Sequence, residues 1–178
     1  MDWQEKLEKG KTLYQQGKYT LAKDTLREAL TQLESDSSKE EKDKAEIRYH
    51  LGRSHCCLSE FDEAEKIILK VLEFHKSNSE YPKEHALCHK ALGEIYQSTG
   101  ENEKSENHLD ESLKLINTVS QEKLKERGEI FNTIGLLHWR KGDADKSIEY
   151  YQMAREEYDA TIGENHEYYG EIMDNLGV

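Results

Sequence analysis

Residues 51–68 read Leu51-Gly52-Arg53-Ser54-His55-Cys56-Cys57-Leu58-Ser59-Glu60-Phe61-Asp62-Glu63-Ala64-Glu65-Lys66-Ile67-Ile68. An aliphatic residue and a glycine stand together, followed by a turn-like residue (Ser59), a small residue (Ala64) and a bulky one (Ile68). The same order returns along the chain. The aliphatic-glycine pair recurs as Leu92-Gly93, Ile134-Gly135 and Leu176-Gly177, with Lys9-Gly10 as a degenerate first copy, and the glycines are 42, 41, 42 and 42 residues apart. Behind the first four glycines come the turn column Gly17, Ser59, Gly100, Gly142 and the small column Ala22, Ala64, Ser105, Ser147. The bulky column is Leu26, Ile68, Leu109, Tyr151, followed by Ala29, Val71, Ser112, Ala154. Steps of four and three within the second segment are helical periodicity, not strand alternation.

Each unit therefore reads as two antiparallel helices, with small residues where backbones approach and bulky ones between them. One such unit cannot bury its own apolar face, whereas stacked units can, so the same columns must recur in each. Helix pairs are expected at about 3–16 with 19–34, 39–58 with 61–76, 82–98 with 102–117, and 121–140 with 143–161, with a last helix from about 165. Ser38 and Glu41 form a candidate capping box, Pro82 suits a first helical turn, and Ser120 and Asn165 are candidate caps. This gives one array over residues 1–178, with repeats at about 3–38, 39–79, 80–119 and 120–162 and a partial fifth at 163–178.

The chain has 178 residues, of which 35% are hydrophobic and 35% charged. No run approaches the roughly 18 apolar residues of a membrane span, so no membrane association is expected. The amino terminus is polar and acidic, and Cys56, Cys57 and Cys88 form no CxxC pair, which together predict a cytoplasmic protein. Net charge is -12, from 25 basic and 37 acidic residues, and without a basic patch this argues against nucleic acid as a partner.

The columns Leu51-Gly52, Phe61, Ala64, Ile68 and Leu92-Gly93, Tyr96, Gly100 resemble the tetratricopeptide repeat (TPR), and the resemblance extends over essentially the whole chain. The long repeat, with Asn132-Thr133-Ile134-Gly135, Asp174-Asn175-Leu176-Gly177 and Gly163-Glu164-Asn165-His166, is similar to the long-helix type found in kinesin light chains. Leu13, His55 and His138 depart from the family's usual tyrosine. The resemblance implies an all-α fold, a right-handed α-solenoid of antiparallel helix pairs. Val178 falls just past a repeat signature without a polar capping helix, which predicts a piece of a longer array and possible self-association through the uncapped last helix.

In this family the first helix of each pair lines a concave groove that takes a peptide or helix. Carried over, the groove comprises Leu7, Lys11 and Tyr14, then Tyr49, His50, Arg53 and Cys56, then Lys90, Glu94 and Gln97, then Asn132, Trp139 and Arg140, and finally Asp174 and Asn175. Asparagine offers a donor and an acceptor to an extended backbone and arginine a bidentate grip on a carboxylate, so Asn132, Asn175, Arg53 and Arg140 are the expected anchors. Trp139 and Tyr49 are the expected aromatic hot spots. Family members that clamp the carboxyl terminus of heat-shock chaperones pair a lysine with an asparagine where this chain has Leu7 and Lys11, so that clamp is expected to be absent. Lys90 and Arg140 remain candidates to hold an acidic side chain.

His85, Cys88 and His89 lie at helical spacing but lack a fourth ligand, and Cys88 and His89 are expected on the packing face, so no metal site is predicted. Cys56 and Cys57 point to different sides of a helix, one of them expected in the core. No nucleophile elbow, phosphate loop or dinucleotide fingerprint appears, and the expectation is neither enzyme nor cofactor. The reading that follows is a protein-interaction adaptor or scaffold binding a peptide or helix. Its alternatives are a structural subunit or assembly factor of a large motor or ciliary complex, and a peptide-sensing domain of a bacterial regulator.

Overall fold

The computed structural model describes residues 1–35, 41–78, 80–120, 122–163 and 174. Among them lie eight helices and no strand: α1 (Trp3–Gln15), α2 (Tyr19–Glu34), α3 (Glu41–Cys57), α4 (Phe61–Lys76), α5 (Pro82–Thr99), α6 (Asn102–Val119), α7 (Lys125–Arg140) and α8 (Ala144–Thr161). The chain forms two compact units, Met1–Asn78 and Ser79–Val178. In each, the principal packing is within the hairpins, α1 on α2, α3 on α4, α5 on α6 and α7 on α8.

The turn column does what its residues suggest. Gly17, Gly100 and Gly142 take φ of 70°, 82° and 79°, and Ser59, the one non-glycine of the column, takes 60°. That left-handed residue closes the first helix and lets an amide reach back over the last turn. The same bond recurs in all four hairpins: the amides of Lys18, Glu60, Glu101 and Asp143 donate to the carbonyls of Leu13, His55, Tyr96 and His138 at 2.8 to 3.0 Å.

The glycine column is set by close approach. A Cβ on Gly10, Gly52, Gly93 or Gly135 would lie 2.6 or 2.7 Å from the side chain of Leu26, Ile68, Leu109 or Tyr151, the bulky column of the partner helix. The small column is completely buried, and Ser105 and Ser147 each donate to the carbonyl of their own hairpin's glycine, Gly93 and Gly135, at 2.9 Å. In the first unit the core gathers Leu7, Leu26, Ala29, Leu33, Ile47 and Leu51. In the second it runs from Ala86, Leu109 and Ile130 to Phe131, Tyr151 and Tyr158.

Pro82 opens α5 as its composition suggests. Ser120 does not cap α7; it ends α6 in extended backbone, and its hydroxyl accepts from the Glu122 amide at 2.9 Å. Helix α7 starts at Lys125 rather than near 121 because buried Arg127 draws the preceding segment around itself. Its guanidinium donates to the carbonyls of Ser120 (3.1 Å) and Glu122 (2.5 Å) and pairs with Glu157 of α8 at 2.9 Å, while Glu157 also accepts from the Leu124 amide at 2.7 Å. At α1, Asp2 and Glu5 form a reciprocal capping box absent from the sequence-based assignment. The proposed caps Ser38 and Asn165, and the uncapped last helix with Leu176-Gly177, lie outside the described residues.

Candidate functional site

The first helices α1 and α3 pack side by side in the first unit, and α5 and α7 do so in the second. In the first unit, the Lys11 ammonium reaches Glu8 at 2.9 Å and Glu46 of α3 at 2.5 Å. Burial works to lower its pKa, but hydrogen bonds and charge from Glu46 and Glu8 outweigh this and hold it above the usual lysine value. Three residues on, the Arg53 guanidinium stands over the Tyr14 ring, 5.2 Å from its centroid, and the Tyr14 hydroxyl lies 3.3 Å from the Cys57 sulfur. Tyr49 meets His50 edge-on at 5.3 Å. Burial, reinforced by the charges of Lys11 and Arg53, pushes the His50 imidazole down to about 4, so it is neutral at pH 7.

This brings Lys11, Tyr14, Tyr49, His50 and Arg53 together as cations and amphipathic rings on adjacent first helices, and among them tyrosine and arginine are residue types enriched where binding energy concentrates at protein interfaces. Leu7 does not join them; at 5% exposure it is core. Neither Cys56 nor Cys57 is in the core, one being half-buried and the other exposed. The buried face there is occupied by Leu51, Gly52, Ser54 and His55, which turns Cys57 toward Tyr14 of α1.

In the second unit the corresponding positions are tied to each other. Lys90 is 4% exposed and its ammonium lies 2.7 Å from Glu94 and 3.5 Å from Glu129 of α7, which is itself 3.7 Å from Lys125. The Gln97 amide donates to the Thr133 carbonyl at 3.1 Å, and Arg140 donates to the Gln97 carbonyl at 2.9 Å. Asn132 is half-buried and Trp139 is 61% exposed. Asp174 is exposed, and Asn175 lies outside the described residues.

Glu46 and Glu129, the acidic partners across each first-helix pair, were not among the expected groove residues. Both stand six positions before a repeat glycine, Gly52 and Gly135, so the column was present in the sequence. His85 and His89 are joined not by Cys88 but by His108 of α6, whose Nδ1 is 3.0 Å from that of His89. Cys88 is fully buried, and burial, with Glu84 adding to it, pushes its thiol up to about 12. Among the described residues no group of three or more side chains is arranged to hold a metal ion.

A helical-repeat protein with glycine-to-bulky packing in every hairpin is the class this geometry defines. Residues 126–178 match the family model of the tetratricopeptide repeat. That match covers under a third of the chain, and the described residues share their all-α fold with solved repeat structures. A Rap protein complexed with Competence and Sporulation Factor superposes with a TM-score of 0.84 at 17% identity, over 94% of this chain and 45% of that one. The Rap conjugation gene regulator of plasmid pLS20, in complex with the Phr* peptide, gives 0.79 at 18% identity, over 97% and 48%. The kinesin light chain-like repeats of Podosopora anserina give 0.68 at 14% identity, over 97% and 82%. The chain thus spans under half the length of these Rap proteins. No curated protein matches the sequence. No described helix is long and apolar enough to cross a membrane.

Proposed function

We propose that this chain is a protein-interaction module that takes a peptide or helix of a partner on the surface of its first helices, without chemistry of its own. The observation that carries this reading is the grouping of Arg53 over Tyr14 beside Lys11 and neutral His50 on α1 and α3. An arginine on an aromatic face, next to an imidazole that donates and accepts without charge, suits a backbone carbonyl and a nearby carboxylate. On the second unit, exposed Trp139 and half-buried Asn132 are the proposed contacts, while Arg140 and Lys90 tie α5 to α7 and Glu94 pairs with Lys90 within α5.

A peptide-sensing role within a larger regulator is the second reading. It is supported by the likeness in fold to two peptide-bound Rap proteins. Affinity capture with the whole chain and with an Arg53→Glu, Asn132→Ala, Trp139→Ala variant, both shown folded by circular dichroism, tests the site. Partners lost with the variant support recognition on the first helices. Partners retained move recognition to the second helices or an edge and favour an assembly role.

A further inference from the structure

The repeats differ at one seam between paired helices. In the α5–α6 hairpin it is filled by rings: His89 and His108 are 5.0 Å apart and His108 and Tyr96 5.3 Å. In the α7–α8 hairpin Phe131, Tyr150 and His138 hold the same columns, with Tyr150 stacked on His138 at 5.5 Å and 4° between planes. In the α3–α4 hairpin those columns are Arg48, Ile67 and His55. An aliphatic side chain stands where the other two have a ring, and a cavity of about 270 Å³ opens there between α2, α3 and α4.

Leu30, Leu51 and Ile67 supply its apolar lining, and His55 lies on its wall with its Nδ1 turned to Glu60 at 2.5 Å. Two carboxylates of the lining are already neutralised, Glu34 by Arg48 at 2.9 Å and Glu63 by Lys66 at 3.5 Å, and Thr31, Arg27 and Lys70 complete it. Arg27 is more than half exposed and 3.5 Å from Asp24, and Lys70 has no ion pair among the described residues. The volume is below the roughly 300–1,000 Å³ of small-molecule sites, which suits one side chain rather than a metabolite.

We propose that this cavity receives an aromatic side chain of a partner protein, stacked on His55 as Tyr150 stacks on His138, with a neighbouring carboxylate of the partner held by Arg27 and Lys70. The site is separate from the first-helix surface around Arg53. It commits the partner to an acidic-aromatic sequence, because Leu30, Leu51 and Ile67 form an apolar wall beside an imidazole, and of the three cations in the lining Lys70 and Arg27 have fewer internal partners than Arg48.

The test uses the whole chain and the capped tripeptide acetyl-Glu-Tyr-Glu-amide, followed by NMR at the His55 ring and the Ile67 methyls. Both are expected to shift on titration, acetyl-Lys-Tyr-Lys-amide is expected to leave them unmoved, and Lys70→Glu is expected to weaken binding about threefold, the effect of losing one exposed ion pair. Ile67→Tyr supplies the ring that the α5–α6 and α7–α8 hairpins carry at this column, so it is expected to abolish the shifts and raise the unfolding temperature. Arg53→Glu is expected to leave them unchanged. Unmoved His55 and Ile67 signals, equal binding of the lysine peptide, or shifts at Tyr14 and Arg53 in their place overturn the proposal. Should Ile67→Tyr not fold, Lys70→Glu decides alone: an unchanged affinity overturns it.

Discussion

Gly93 lies so close to Leu109 that a β-carbon added to it would sit 2.7 Å from the leucine's branch point. Sixteen residues separate them, as they separate Gly10 from Leu26, Gly52 from Ile68 and Gly135 from Tyr151, so one contact repeated four times sets how tightly every hairpin closes. Gly93→Ala gains about 1 kcal/mol in helix propensity but overpacks a site whose neighbour is a branched carbon, at a cost of about 1–3 kcal/mol. Urea unfolding should show a net loss for Gly93→Ala, partly recovered by adding Leu109→Val.

Ser59 holds at φ 60° a turn position that is glycine in the other three described hairpins. Left-handed backbone strains any residue with a β-carbon, so Ser59→Gly should stabilise the first unit by about 0.5–1 kcal/mol, read as a rise in denaturation midpoint without a change in slope.

Arg127 and Glu157 are 8% and 3% exposed and pair at 2.9 Å. Removing one partner strands the other charge, so Arg127→Ala should cost about 3–5 kcal/mol and expose the Leu124 amide, which now donates to Glu157, to hydrogen exchange.

His50, with its pKa pushed to about 4, stays neutral in the folded chain well below the ordinary histidine value, and His55 and His138 are lowered in the same direction, chiefly by burial. The unfolded chain takes up protons first as pH falls through the ordinary histidine value near 6.5. Stability is therefore full above about pH 7 and declines toward pH 4, by at most about 1.4 kcal/mol per pH unit for each histidine. A thermal-denaturation series over pH 4.5–7.5 should show this slope, and His50→Gln should flatten it.

The helix pairs were legible because their columns are made by local chemistry: glycine where φ is positive at Gly17, Gly100 and Gly142, and small against large at Gly52 and Ile68. The start of α7 was not, since it is fixed by Arg127 meeting Glu157, a contact 30 residues long that leaves no periodic trace. The candidate surface was partly legible. Lys11, Tyr14 and Arg53 fall together as their columns imply, but Lys90 looked like a free cation until Glu129 of the next first helix was placed beside it. The same limit hid His108, which stands near His89 only because α6 folds back on α5.

The central claim is that partners are recognised on the first helices, and the most direct measurement compares one captured partner's affinity for Arg53→Glu and for Lys66→Glu. The two variants change charge equally, but Lys66 is 65% exposed on second helix α4. The account predicts a loss of tenfold or more for Arg53→Glu, about 1.4 kcal/mol, with Lys66→Glu near wild type. Equal affinities, or a larger loss for Lys66→Glu, would contradict it.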